Sequence, residues 1–220
     1  FFLERRLGLP FDAILVADVG RTDLHEYDVI VIPEASGLDD SGQEALASWV
    51  RNGGHLVAVG RGTSTAAEIA EIETRDDEVE ADSAESIDRF LLGREARESL
   101  DWSEDVPGAI LEATIDPAHP LAWGATPDGR DGRIFVLHQG TRVFEPAEGV
   151  ESVAYFPEDL DATAGIISDE NLSRLEQGAW LVTTGVGQGS VTLFADDPLF
   201  RVFWRETHPL YINALLLGGM

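Results

Sequence analysis

The chain of 220 residues carries 41 acidic and 15 basic side chains, a formal charge of −26, and every basic residue is Arg; Lys and Cys are both absent. Such a field repels the phosphates of nucleic acids and anionic lipid surfaces, and the missing thiol removes disulfides, thiolate catalysis and Cys-ligated zinc. With 44% hydrophobic residues, ten Phe and five Trp among them, the chain can still bury the core of one domain.

Phe1 to Gly8 (FFLERRLG) reads as a helix stopped by Gly8, and a chain that opens inside a helix without an initiator Met reads as a fragment of a larger protein. Ala13–Ala17 (AILVA) and Asp28–Ile32 (DVIVI) are unbroken aliphatic runs of the kind a strand shows when both its faces are covered, as in a parallel sheet. Between Pro33 and Gly53 lies a helix. Asp39, Asp40 or Ser41 can cap it, Ser41 and Glu44 have capping-box spacing, Leu46, Trp49 and Val50 form its apolar stripe, and Gly53 ends it. His55–Val59 (HLVAV) is the next buried strand, followed by the turn Gly60-Arg61-Gly62-Thr63 and a helix from Ser64; strand, helix and strand at this spacing predict a right-handed βαβ unit.

Residues 73–105 hold 13 acidic and four basic side chains, which predicts a solvated acidic excursion with a short helix around Ser86–Leu92. Ile110–Ile115 and Arg133–Phe144 read as strands around the turn-rich Pro127–Gly132 segment. Val150–Phe156, Ala179–Val186 and Ser190–Ala195 continue the sheet, the last two as an antiparallel hairpin across Gly187-Gln188-Gly189. Asp196-Asp197-Pro198 opens a final helical stretch that Thr207-His208-Pro209 should break or kink. Leu210–Leu217, the longest apolar run, is far short of a membrane span.

Ligands of open α/β sheets collect at the carboxyl ends of strands, where this chain offers Glu34, Arg61, His138, Asp196 and Asp197. Each also has a structural reading, and that reading leads: a helix cap for Asp196 or Asp197, an ion pair for Arg61 with Glu34, a satisfied or surface position for His138. The five His are scattered with no metal-ligand spacing, so the chain itself is expected to hold no metal and no cofactor. Ser36, in Glu-Ala-Ser-Gly, belongs to an ordinary turn, and Gly185, Gly187 and Gly189 join two strands where a dinucleotide fingerprint would open a helix. The total replacement of Lys by Arg beside so many carboxylates predicts a protein from a salty milieu, whose self-repulsion shrinks as the Debye length falls from about 8 Å to about 3 Å at 1 M salt.

Tyr27-Asp28-Val29-Ile30-Val31-Ile32-Pro33, followed by Leu46, Trp49, Val50, Gly53, Gly54, Leu56 and Val57, resembles the class I glutamine amidotransferase-like fold. Pro107 to Leu111, His119-Pro120-Leu121-Ala122-Trp123-Gly124, and above all Val191 to Trp204 with Leu210, Asn213, Ala214 and Leu215, resemble the C-terminal amidotransferase-like domain of large bacterial zinc carboxypeptidases. The resemblance implies a flavodoxin-like three-layer α/β sandwich with a mostly parallel sheet and a first strand upstream of Phe1. It also implies a secreted or periplasmic metallopeptidase as parent, its zinc and its partner peptidase domain lying in the preceding part of the polypeptide. An active amidotransferase needs a Cys on the turn after the strand corresponding to His55–Val59; here that turn reads Gly60-Arg61-Gly62-Thr63, so glutaminase chemistry is excluded. The expected role is a non-catalytic accessory domain; the alternatives are a sugar- or peptide-binding module using the strand-end crevice, or a stand-alone hydrolase.

Overall fold

The computed structural model describes residues 1–33, 37–75, 106–126 and 132–219. Glu34, Ser36, the acidic segment from residue 76 to 105 with its expected helix, and the turn residues 127–131 lie outside the described residues.

The first unit forms as its sequence dictates. β1 (Val29–Ile32) and β2 (His55–Val59) pair in parallel, Val29 opposite His55, and α1 (Asp40–Arg51) makes the crossover between them. Asp39 is the N-cap: its carboxylate accepts the Gly42 N–H at 2.8 Å and the Ser41 hydroxyl at 2.9 Å, so the capping box with Glu44 is not used. Leu46, Trp49 and Val50 are buried, and the Trp49 indole donates to Tyr27 O at 3.1 Å, which locks α1 onto the entrance of β1. All five residues of β2 are buried, the signature of a central strand.

After the turn Gly60–Gly62 come α2 (Thr63–Ala70) and the short β3 (Thr74–Arg75). β4 (Gly108–Ile115), β5 (Arg133–His138), β6 (Val143–Phe144), β7 (Glu151–Tyr155) and β8 (Ala162–Ile166) follow, then α3 (Asp169–Leu175), β9 (Ala179–Val186), β10 (Gly189–Phe194) and α4 (His208–Leu217). The strands form one sheet in the order β1-β2-β10-β9-β7-β4-β5, with β6 beside β9, β3 beside β6 and β8 beside β4.

The expected mostly parallel sheet is corrected here. Only β1 with β2 and β2 with β10 run parallel; every other pairing among the described residues is antiparallel, so the α/β sheet is mixed and mostly antiparallel. The reason is connectivity: a parallel pair needs a crossover of a dozen or more residues, whereas β9 and β10 are joined by the tight turn at Gly187, φ 66°. That hairpin is the one expected.

Three local expectations also change. Ala13–Ala17 enters no ladder; residues 11–15 are irregular and Val16–Arg21 coils into a 3₁₀ turn, because Val19 and Gly20 sit on the first turn of α1, where a Cβ on Gly20 would meet the Ser41 hydroxyl at 2.5 Å. Arg133–Phe144 splits into β5 and β6 around Gln139–Arg142. Pro209 opens α4 instead of breaking a helix, its missing N–H falling where no intrahelical bond is made, and Asp196-Asp197-Pro198 leads only to the 3₁₀ turn Phe200–Val202. The turn Phe2–Leu7 ends at Gly8, φ 66°, as expected, and packs the Phe2 ring edge-on to His208, 4.9 Å between centroids.

Two features set the borders of the sheet. At its far end, the outward N–H and C=O of Phe135 in β5 are taken by Glu206 Oε1 (3.0 Å) and the Trp204 indole (2.9 Å). At its centre, the last turn of α4 is tied down: His55 Nε2 lies 2.8 Å from Ala214 O, its Nδ1 2.7 Å from Ser190 Oγ, and Ser190 donates to Gly218 O at 2.7 Å. Gly218 lies so close to the imidazole that any side chain there would strike the ring.

Candidate functional site

β2 delivers the turn Gly60–Gly62 at its carboxyl end, and the parallel register that sets Phe194 opposite Val59 brings Asp196, two residues further, out of the sheet beside it. Gly60 has φ 54°, and a Cβ on Gly62 would land on Pro33 O, with Ile32 Cγ2 at 2.8 Å, so the turn runs hard against the end of β1. By the resemblance drawn from the sequence, this is the turn that would have to carry an amidotransferase thiolate.

Its polar groups are occupied from within. The Arg142 guanidinium, buried in the connection between β5 and β6, donates through Nη1 to Gly60 O (3.1 Å), Thr63 Oγ1 (2.8 Å) and Ser64 Oγ (3.3 Å). Thr63 in turn donates to Gly60 O at 2.6 Å, and Ser64 to Arg61 O at 3.3 Å. Neither hydroxyl meets a His or a carboxylate among the described residues, so neither has the base that would make it a nucleophile. Arg61 itself is exposed at the tip of the turn, and the guanidinium that engages the turn from within is that of Arg142, from a different part of the chain.

The remaining candidates divide. His138 ends β5 fully buried, edge-on to Phe156 with 5.6 Å between ring centroids, and neither ring nitrogen has a hydrogen-bond partner. Burial without a partner pushes its pKa down to about 3, so the ring is neutral across the physiological range. Its Nδ1 stands 3.9 Å from Asp196 Oδ2, too far for a hydrogen bond. Asp196 faces backbone donors instead: Oδ2 accepts the Gln139 N–H and Oδ1 the Asp197 N–H at 2.6 Å. It therefore ties the end of β10 to the end of β5. Asp197 turns the other way, accepting the Leu199 N–H at 2.9 Å and acting electrostatically on His208 and Tyr211 of α4.

The structure thus brings His138 and Asp196 together, sets Asp196 beside the Arg61 turn by register, and separates Asp197 from them; Glu34 lies outside the described residues. The residue that sequence reasoning missed is Arg142. Its signal is the polar Gln139-Gly140-Thr141-Arg142 interrupting an apolar stretch. No group of three or more His, Asp or Glu among the described residues is placed to hold a metal ion. A cleft of about 500 Å³ opens beside the elbow, with Ala67 and Ile72 below and Ser64, Glu68, Glu71, Glu73, Thr74 and Arg142 around it.

No family model matches the chain, and no curated protein does. Solved structures do. A cytoplasmic protein of Salmonella typhimurium aligns with a TM-score of 0.54 at 15% identity, over 96% of this chain and 82% of its own. A GMP synthase component of Thermoplasma acidophilum aligns at 0.52 and 7% identity, over 97% and 83%. A ThuA-like protein of Bacteroides uniformis aligns at 0.51 and 12%, over 96% and 78%. At these identities the likeness is one of fold, and the fold is α/β of the glutamine amidotransferase-like kind.

Proposed function

We propose that this chain is a non-catalytic accessory domain of a larger protein, one whose parent is of the zinc carboxypeptidase kind and whose partner is the peptidase domain of the same polypeptide. One observation carries the reading: the turn after β2 has the tight glycine geometry of a nucleophile elbow but holds Gly60-Arg61-Gly62-Thr63, and the buried guanidinium of Arg142 closes it from behind. A thioester step has no sulfur here, and a hydroxyl substitute has no base within reach among the described residues. The order of the closing motif from Val191 to Leu215 supports the parent named. Zinc in this reading belongs to the peptidase domain, and secretion follows from the parent alone.

The ligand-module reading draws less support, since Asp197 is turned toward α4 and Asp196 is engaged with backbone donors. The test is direct: purified chain added in trans to the isolated peptidase domain should raise that domain's melting temperature or alter its range of substrates. Absence of both binding and effect would overturn the reading.

A further inference from the structure

With a neutral imidazole, the clamp on the last turn of α4 is one hydrogen short. Three short contacts run in a row: Ala214 O to His55 Nε2 at 2.8 Å, His55 Nδ1 to Ser190 Oγ at 2.7 Å, and Ser190 Oγ to Gly218 O at 2.7 Å. Each hydrogen bond needs a hydrogen between its two heavy atoms, so the row needs three. Both carbonyl ends only accept. The Ser190 hydroxyl supplies one hydrogen and a neutral ring one more; the third is present only in the imidazolium, which carries an N–H on each nitrogen.

When the ring is neutral one link must give, and burial decides which. The Ala214 contact is buried, and two lone pairs facing each other there would leave a buried acceptor unsatisfied, so Nε2 keeps its hydrogen. Nδ1 is then a bare acceptor and draws the Ser190 hydroxyl hydrogen to itself. Gly218 O loses its donor. It is also the link nearest water, since Gly218 is half-buried and Gly219 exposed, and a carbonyl at a helix end can turn outward to solvent.

No charge nearby stands in for the third hydrogen. The charged and titratable groups on the elements packed round the ring are Asp28 ahead of β1, Asp40, Glu44 and Arg51 on α1, Glu68 on α2, and His208 and Tyr211 on α4; β10 carries none. None of them shifts the proton affinity of His55: burial lowers it below the ordinary value, and the Ala214 and Ser190 contacts offset this in part. The ring is therefore mainly neutral at about pH 7 and gains its second hydrogen in acid.

We infer that His55, Ser190 and Gly218 form an acid-closed latch on the end of α4: protonation of the ring completes the row and holds Gly218, and deprotonation frees the Gly218 carbonyl and loosens the last turn. The glycine fits this role, because any side chain at that position would strike the imidazole and keep the carbonyl out of reach of Ser190.

The test is an NMR titration of the 220-residue chain from about pH 8 to about pH 4.5, in about 1 M KCl so that the surface carboxylates are screened while the internal latch is not. The ring nitrogen shifts of His55 count its hydrogens, and the carbonyl carbon shift of Gly218 reports its hydrogen bond. His55 should pass from one ring N–H to two, the Gly218 carbonyl should move with the same midpoint, and amide protection in the last turn of α4 should rise about threefold or more on the acid side. Ser190→Ala should hold the Gly218 carbonyl and the protection at their high-pH values throughout. His208→Gln, at the far end of α4, should leave the transition unchanged. A ring with one hydrogen across the whole range, a Gly218 carbonyl that ignores the ring's titration, or a Gly218 transition that persists in Ser190→Ala or vanishes in His208→Gln overturns the inference.

Discussion

His138 offers the sharpest test of the packing. Its pKa is about 3 in the folded chain against an ordinary 6.5, because burial penalises the imidazolium and no partner compensates. The unfolded chain therefore binds the proton more readily. The stability tied to a neutral His138 is fully present above pH 6.5 and is lost as pH falls from there toward 3. At about 1.4 kcal/mol per pKa unit, acidification from pH 8 to pH 5 removes roughly 2 kcal/mol through this residue. His138→Leu, close in volume, leaves no ring nitrogen to charge. Urea unfolding of wild type and variant at matched pH and in molar salt gives the difference in stability; wild type should lose roughly 2 kcal/mol relative to the variant between pH 8 and pH 5. Parallel curves would show that the ring reaches water. A wild type gaining on the variant in acid would show that Asp196, 3.9 Å away, captures the imidazolium, and either result refutes the argument.

Arg142→Met keeps most of the volume but strips Gly60, Thr63 and Ser64 of their common donor, and should cost about 3 kcal/mol by denaturant unfolding, with Arg142→Lys recovering only part. Gly62→Ala drives a methyl onto Pro33 O and should lower the melting temperature more than any exposed Gly→Ala change in the chain. Asp39→Ala removes the α1 cap and should cost about 1 kcal/mol, which Asp39→Ser restores. With 41 carboxylates against 15 guanidinium groups, the melting midpoint should climb by roughly 10 °C or more between about 0.1 M and about 2 M KCl; a flat response would remove the salt-adapted reading.

The parts of the fold legible in the sequence are those whose signals are local. The apolar run His55–Val59, the Asp39 cap and the Leu46, Trp49 and Val50 stripe all report structure made within a few residues. Strand direction is written more faintly. β4 alternates between half-buried and buried along its whole length, with Glu112 and Thr114 on the more open face, and β5 alternates with it. That alternation is the mark of antiparallel strands with one face less covered, and the aliphatic runs of β1 and β2 outweigh it when the sequence is read alone. The seven-residue α3, capped by Ser168, is too brief to show a helical period. Ala13–Ala17 fails for the opposite reason: the run has the composition of a strand, but a strand forms only where a neighbour accepts its backbone. At the turn after β2, the presence of Arg61 and the absence of Cys are readable from the sequence, whereas the Arg142 contact to Gly60 joins residues 82 apart and depends on tertiary structure alone.

The His55 clamp also decides how the domain meets a mechanical load. Any tension reaching the last turn of α4 is passed through Ala214 O and Gly218 O to His55 and Ser190, and so into β2 and β10. His55 and Ser190 are opposite each other in the parallel ladder of β2 and β10, so the load enters both strands at the same end and can draw them out only by sliding β2 along β1 and β10 along β9. The tether thus enters the stiffest part of the sheet, and α4 should be among the last elements to let go when the domain is stretched.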